Sequence, residues 1–280
     1  IEFFGIKLPS DFELDRQTTG LVADLSWQHA SGFVIHGSAR QDRPEDTDTQ
    51  RTYKLGARLP VLNHRLTILA NWGQGFKLPS FFALASPLVG NPALKPEKAT
   101  SADIGLEWQA TPALDITLVA FDNDYKDLVD FDADSFTNVN RSSVKTRGGE
   151  FELDWQVGAG MTLMGHATYT DISSDEDVTL TGRPRWKAGL VYNWQFATAW
   201  SFNLDYRWSD EVQATTLYTG ETTVETLDGY HLFDTNLQWQ VAHWARIQLS
   251  LDNVFNQSYE EAVGFPGPAR LLRVGAILGF

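Results

Sequence analysis

The chain has 280 residues, contains no cysteine and carries a formal net charge of −14. The lack of cysteine excludes disulfides, thiolate metal sites and cysteine nucleophiles. The acidic balance argues against a nucleic-acid partner, because binding phosphates requires a basic surface. No run of residues approaches the roughly 18 consecutive apolar side chains that a membrane-spanning helix needs.

Large apolar side chains alternate with polar ones along the chain. The clearest stretches are RLTILANW (65–72), LDITLVAF (114–121), WSFNLDYRW (200–208) and ARIQLSLDNVF (245–255). Successive side chains of a strand point to opposite faces, so a period of two predicts antiparallel strands with one apolar and one polar face. A short helical turn is expected near Phe81–Ala85. About 13 strands are predicted, at 15–29, 32–42, 51–61, 64–76, 100–110, 114–131, 144–157, 160–172, 183–197, 200–215, 229–241, 245–258 and 269–280.

The predicted connections are of two kinds that alternate strictly. The tight ones are His29–Gly32, Leu62–His64, Ala110–Ala113, Gly158–Gly160, Ala197–Ala199 and Ala242–Trp244. The long, polar ones are Asp42–Gln50, Lys77–Thr100, Asp132–Ser143, Ser173–Gly182, Leu217–Asp228 and Tyr259–Pro268. A sheet with short turns at one end and long loops at the other is typical of an outer-membrane β-barrel.

The ten tryptophans sort with these connections. Those beside tight turns are Trp27, Trp108, Trp155, Trp194, Trp200, Trp239 and Trp244, and those toward the long loops are Trp72, Trp186 and Trp208. Indole rings collect at the headgroup level of a bilayer, which predicts two aromatic girdles. A soluble sandwich or propeller also alternates and turns, but it has no reason to sort its tryptophans. The apolar face of WSFNLDYRW is therefore expected to contact lipid, and its polar face to line a barrel.

Residues 71–108, NWGQGFKLPSFFALASPLVGNPALKPEKATSADIGLEW, carry a family resemblance. They resemble the central barrel segment of TonB-dependent outer-membrane receptors, in which a Gly-Phe-(Lys/Arg)-x-Pro-Ser start leads through a loop to Gly-Asn-Pro-x-Leu-x-Pro-Glu. The matching positions are Gly75, Phe76, Lys77, Pro79, Ser80, Gly90, Asn91, Pro92, Leu94, Pro96 and Glu97.

The C-terminal LDNVFNQSYEEAVGFPGPARLLRVGAILGF resembles the closing pair of strands in the same family. Its alternating apolar residues precede a terminal aromatic, Phe280, which resembles the signal by which the outer-membrane barrel assembly machinery recognises its clients. The resemblance covers essentially the whole chain.

The resemblance implies a 22-stranded barrel preceded by a plug domain with a TonB-binding segment. This sequence supplies about 13 strands and no plug, so residues 1–280 are expected to be the C-terminal part of such a barrel. The implied location is the outer membrane of a Gram-negative bacterium. The implied partners are the TonB complex through the absent plug segment, the N-terminal barrel and plug portion, lipopolysaccharide and outer-membrane lipid, and the barrel assembly machinery.

No catalytic constellation, metal site or cofactor motif is evident, so we expect no enzyme and no cofactor. The six histidines are scattered, with no pair at metal-ligand spacing, and no nucleophile-elbow motif is present. Two acidic loops, DRPEDTDTQR (42–51) and DISSDEDVTL (171–180), offer oxygen ligands that Ca²⁺ accepts. Neither has the spacing of an EF-hand, so a solvated carboxylate surface is the favoured interpretation.

Ligand contacts are expected from aromatic residues of the long loops, where rings can enclose a ligand against water. The candidates are Phe81, Phe82, Phe136, Tyr218 and Phe265, and packing within their own loops is an equal alternative for each. The resemblance implies TonB-dependent active uptake of a scarce ligand, with a ferric siderophore or another iron chelate as the leading hypothesis. Cobalamin is the alternative within the family. A passive diffusion porin, with an open lumen and no need of TonB, is the alternative outside it.

Overall fold

The computed structural model describes residues 2–3, 6–7, 11–132, 135–175, 181–216 and 223–279. Most of these residues form one antiparallel sheet of 13 strands, in which each strand pairs only with its neighbours in sequence. The predicted all-β antiparallel class is therefore confirmed. The strands, numbered in chain order, are β1 (Thr18–Gln28), β2 (Val34–Pro44), β3 (Gln50–Val61), β4 (Leu66–Lys77), β5 (Glu97–Thr111), β6 (Leu114–Asp132), β7 (Thr137–Gly158), β8 (Met161–Ser174), β9 (Trp186–Ala197), β10 (Trp200–Ser209), β11 (Tyr230–Ala242), β12 (Ala245–Asp252) and β13 (Leu271–Leu278).

Outside the sheet, the described residues form one short helix and three small hairpins. Helix α1 spans Phe81–Ala85, where the sequence predicts a helical turn. No helix in the described part of the chain is long and apolar enough to cross a membrane. The hairpins pair Glu2–Phe3 with Ile6–Lys7, Val212–Thr216 with Thr223–Leu227, and Glu260–Ala262 with Phe265–Pro266.

The register of strand pairing sorts the side chains into two faces. We call one side the outer face, marked by a row of directly opposed apolar residues on β10 to β13: Phe202, Leu237, Leu249 and Val274. The next residue of each strand belongs to the opposite, inner face, which carries the polar row Asn203, Asn236, Ser250 and Arg273. Hydrogen bonds run along this polar row, since Asn236 Nδ2 donates to Ser250 Oγ at 2.7 Å. The segregation that the alternation predicts is confirmed.

Every tryptophan in the 13 strands lies on the outer face, close to one of its two ends. At the end with the tight turns, the rings of Trp200 and Trp239 stack with centroids 5.2 Å apart and planes 4° apart. At the end with the long loops, Trp186 packs against Tyr169 at 4.8 Å. The two predicted aromatic girdles are therefore present.

No second layer packs against this sheet within the described residues. Few of their hydrophobic side chains are buried, and these are Ala83, Leu94, Val144, Ala214, Leu227 and Leu232. A soluble sandwich would bury one face of each sheet against another, so the sandwich alternative does not fit. Strands β1 and β13 form the two edges of the described sheet and do not pair with each other.

The alternation of tight and long connections is confirmed, and we call the two ends of the sheet the turn end and the loop end. Three predicted boundaries are wrong. Residues 132–143 are mostly strand, because β7 begins at Thr137 and pairs with the part of β6 nearest the loop end. The polar residues of this extension gave no apolar face from which to recognise a strand.

The predicted strands 200–215 and 245–258 are both too long. β10 ends at Ser209, and the chain then forms the separate hairpin that starts at Val212. β12 ends at Asp252, where Asn253 turns the chain with φ of 47°. In both places a polar residue, Asp210 or Asn253, stands where the next apolar side chain would fall, and an apolar residue follows two positions later. Single exceptions of this kind also occur within the strands, so the pattern did not locate the departure.

Candidate functional site

The connection between β4 and β5, residues 78–96, is called the motif loop here. It contains α1, which Ser80 caps, because Ser80 Oγ accepts a hydrogen bond from the N–H of Ala83 at 3.1 Å. The loop then closes at Gly90, whose N–H donates to the carbonyl of Ser86 at 2.8 Å. A Cβ on Gly90 would stand 2.5 Å from that backbone oxygen. Only glycine therefore fits at this position without moving the loop.

Asparagine side chains fasten the motif loop to the upper part of the β6–β7 hairpin. Asn91 donates from Nδ2 to the carbonyl of Asn138 at 2.8 Å, and Asn138 Nδ2 donates to the carbonyl of Val89 at 2.7 Å. Asn140 bonds the backbone of Lys95 twice, accepting from its N–H at 2.8 Å and donating to its carbonyl at 3.1 Å. These paired amide contacts fix both the position and the orientation of the loop.

Glu97, the last motif position, connects β5 to the strands on both sides. Its Oε1 accepts a hydrogen bond from the N–H of Val129 at 3.0 Å, and its Oε2 lies 3.3 Å from Lys77 Nζ. Near the two ends of the loop, Pro79 and Pro96 are buried, whereas Pro92 is exposed. Asn91, Glu97 and the two buried prolines therefore build and fasten a loop.

Sequence analysis missed Asn138 and Asn140 because it assigned 132–143 to a loop. Their signal is the alternation TNVN, which places both amides on one face of a strand. They lie on the inner face, where they meet the motif loop. The interior of the sheet is therefore partly covered by this loop.

Three of the predicted ligand-contact residues belong to the motif loop or to the hairpin that it contacts. Phe81 lies in α1 with the guanidinium of Arg16 5.2 Å from its ring centroid, and Phe82 beside it is 57% exposed. Phe136, at the tip of the β6–β7 hairpin, is 63% exposed and packs edge-on against Phe131 at 5.3 Å. Phe131 was not predicted. Contact with a ligand stays a prediction for all of them.

The other predicted positions do not join this group. Phe265 is 74% exposed in the hairpin between β12 and β13, at the other side of the sheet. Tyr218 and Phe280 lie outside the described residues. Phe280 as an assembly signal therefore stays a prediction.

A second group of polar residues surrounds a cavity of about 480 Å³ at the loop end, which we call the arginine cavity. Arg183 and Arg185, just before β9, form one wall, and Asp210 and Glu211, just after β10, line it as well. Lys187 extends the basic side into an adjoining pocket. These cations were missed by sequence analysis, although RPRWK (183–187) is a dense basic stretch in an acidic chain. The cavity can hold a polar ligand by charge pairing on its basic side.

A third group combines two phenols with a carboxylate. The rings of Tyr230 and Tyr259 pack with centroids 4.7 Å apart, and the Tyr230 hydroxyl donates to Glu261 Oε1 at 3.1 Å. Burial, together with the charge of Glu261, raises the pKa of Tyr259 above its ordinary value. This phenol is therefore protonated and uncharged at neutral pH.

The acidic loops do not gather into a metal centre within the described residues. Asp42 instead accepts two hydrogen bonds from the guanidinium of Arg40, at 2.7 and 2.8 Å, and Asp46 pairs with Arg16 at 2.7 Å. Glu176 and Asp177 of the second acidic loop lie outside the described residues.

Comparison with known proteins gives a family match over nearly the whole chain. The family profile described as "TonB dependent receptor-like, beta-barrel" matches residues 5–256. The vitamin B12 transporter BtuB of Vibrio cholerae is 25% identical over 280 residues, which covers 95% of this chain and 43% of that protein.

Two solved structures share the fold at lower identity. The ferric-catecholate import receptor Fiu of Escherichia coli K12 superposes with a TM-score of 0.77 at 19% identity, over 95% of this chain and 45% of that one. The ferric enterobactin receptor PfeA of Pseudomonas aeruginosa, in complex with enterobactin, gives 0.78 at 16% identity, over 95% and 46%. The chain thus spans less than half the length of the proteins it matches.

Proposed function

Because the chain belongs to the TonB-dependent receptor-like β-barrel family, we propose that it forms part of the wall of a receptor for TonB-driven uptake of a scarce ligand. Barrels of this family lie in the outer membrane of Gram-negative bacteria, so the outer face contacts lipid and the inner face lines the lumen. The family match over residues 5–256 carries the proposal. The loop end would receive the ligand, and TonB would act through a plug in the lumen.

The proposed receptor includes an N-terminal portion that completes the barrel. The chain spans 43% of its Vibrio cholerae relative, and β1 and β13 are unpaired edges in the described sheet. In lipid each orphaned backbone group costs several kcal/mol, so these edges need partner strands. About nine further strands and a plug would supply them, on the 22-stranded plan that the family resemblance implies.

An anionic metal chelate such as a ferric siderophore is the ligand that we propose. The arginine cavity supports this assignment, because Arg183, Arg185 and Lys187 give it a basic side in a chain of net charge −14. Guanidinium groups bind anionic oxygens in fixed two-point geometry. Exposed rings such as Phe82 and Phe136 would cover the apolar parts of the same ligand.

Cobalamin is the second candidate, favoured by a different observation. The curated relatives from Vibrio cholerae and Vibrio vulnificus are all named as vitamin B12 transporters. A passive porin is disfavoured by membership of a receptor family, and the relatives and solved structures described above are named as transporters or receptors.

Binding of a ferric catecholate and of cyanocobalamin to the full-length receptor separates the two candidates. Replacing Arg183 and Arg185 by Gln should weaken ferric catecholate binding at least tenfold, as expected for losing two charge-assisted contacts. The matched control removes two cations from the outer face, Arg43→Gln with Lys145→Gln, and should bind as the unmodified receptor does.

Submicromolar binding of cyanocobalamin with no binding of the ferric catecholate would show that cobalamin is the ligand and that the chelate is not. Uptake of the bound ligand should stop in cells that lack TonB. Uptake that persists there would refute active transport and favour the porin.

A further inference from the structure

Two lysines of the outer face oppose each other at the loop end. Lys98 on β5 and Lys126 on β6 are direct register partners, so their Cβ atoms lie about 4.5–5.5 Å apart. No carboxylate pairs with either lysine in an ion pair among the described residues. Like charges placed directly opposite on neighbouring strands destabilise a sheet, so an anion bound between the two ammonium groups would relieve their repulsion.

A groove of about 390 Å³ lies beside the lysine pair. Arg51 on β3 adds a third cation to its lining, and Asp124 is the single carboxylate there. Gln74 and Thr100 contribute an amide and a hydroxyl, both on the outer face. The groove is therefore a cationic, donor-rich surface on an acidic protein.

Its height places this groove at the edge of the bilayer. Lys98 lies ten residues from Trp108 of the turn-end girdle, on the same strand and the same face. At about 3.3 Å per residue and a tilt of about 35–45°, this separation is about 23–27 Å along the membrane normal. The apolar band of such barrels is about 25 Å tall, and Trp72 of the loop-end girdle pairs with Ala102, four residues from Lys98 on β5, so the lysines stand just beyond the outer aromatic girdle.

We propose that the Lys98–Lys126 groove binds a phosphate group of outer-leaflet lipopolysaccharide. A phosphate between the two ammonium groups would remove their repulsion, and Arg51 and Thr100 line the same groove. Phe76, the outer-face neighbour of Lys98 on β4, provides an apolar contact for the lipid part. The groove faces away from the lumen, so it is separate from the ligand site.

The inference rests on the outer face contacting lipid and not on the proposed ligand, so the two can fail independently. The test measures binding of purified lipopolysaccharide to the delipidated full-length receptor in detergent, by native mass spectrometry and titration. Lys98→Gln with Lys126→Gln should lower the affinity at least tenfold. Lys54→Gln with Arg58→Gln removes the same charge from the inner face of β3 and should leave the affinity unchanged.

Three further measurements identify what the groove recognises. Lipopolysaccharide stripped of its lipid A phosphates should bind the unmodified receptor at least tenfold more weakly, and millimolar inorganic phosphate should not displace the intact lipid. Lys98→Arg with Lys126→Arg keeps both charges and should bind normally.

The proposal is overturned if the Gln pair binds intact lipopolysaccharide as the unmodified receptor does, or if the inner-face control loses as much. Displacement by millimolar inorganic phosphate would equally overturn it, because the site would then recognise the free anion. A loss in the Arg pair equal to that in the Gln pair would show that charge is not what the groove uses.

Discussion

The two sides of the loop end are stabilised in different ways. On one side, β6 and β7 have 19 and 22 residues and extend beyond the apolar band, and the motif loop is bound to their inner face. On the other side, β12 and β13 have only 8 residues each, and the connections carry hairpins of their own. A long strand gives a loop a backbone to bind, whereas a loop between short strands has to stabilise itself.

The contacts differ accordingly in sequence separation. Asn91 and Asn138, which join the motif loop to the hairpin, are 47 residues apart. Between β12 and β13, Asn253 donates to the carbonyls of Gln257 at 2.9 Å and Pro268 at 3.0 Å, all within the same connection. The first region therefore depends on a distant segment, and the second depends mainly on its own turns, with Tyr230 of β11 adding a hydrogen bond to Glu261.

The largest expected effect comes from Gly90→Ala. The new Cβ would meet the backbone N and O of Ser86 at 2.6 and 2.5 Å, and a backbone atom cannot swing aside as a side chain can. The motif loop should lose about 3 kcal/mol of local stability, measured as faster amide exchange over residues 81–96. Gly75→Ala is the matched control, because nothing lies within 4 Å of its Cβ. Faster exchange in the Val212–Thr216 hairpin as well would contradict the separation of the two regions.

A smaller effect is expected from Asn138→Ala. This change removes the side-chain amide that donates to Val89, whose carbonyl still accepts from the backbone N–H of residue 138 at 2.9 Å. The cost should therefore be that of one hydrogen bond, about 0.5–1.5 kcal/mol, seen in exchange of both the motif loop and the β6–β7 tip. Thr226→Ala, in the hairpin on the other side, should leave both segments unchanged. An unaltered motif loop in Asn138→Ala would mean that the asparagine does not fasten it.

The smallest expected effect is a pH dependence at the tip of the β6–β7 hairpin. The hydroxyl and the N–H of Ser135 donate to the Asp132 carboxylate, and with Arg141 nearby they hold the pKa of Asp132 below its ordinary 3.8. The stabilisation that the ionised Asp132 carboxylate gives to the hairpin tip is thus complete above about pH 4. It is lost as pH falls through the lowered pKa. The amide resonance of Ser135 should shift only in that acid range, and Asp132→Asn should abolish the shift. A midpoint above pH 4 would contradict the assignment.

The number of strands, the two faces of the sheet and the two tryptophan girdles could be predicted from the sequence. Each follows from the alternation of side chains within single strands. Trp200 and Trp208 belong to the same face whatever the neighbouring strands do. The end of β10 was not predictable, since the alternation that ends at Ser209 in the sheet resumes in a hairpin outside it. The hydrogen bonds that Asn138 and Asn140 make to the motif loop depend on which loop lies beside these residues, and no local sequence pattern contains that information.

The strictly sequential pairing of the strands has a consequence for folding. Since every strand hydrogen-bonds only to the one before and the one after it, the sheet has a low contact order for its size. Even its longer connections close cheaply, because each doubling of loop length adds only about 0.6 kcal/mol of entropic cost. The ladder can therefore grow in chain order, one hairpin at a time, with each completed strand serving as the template edge for the next.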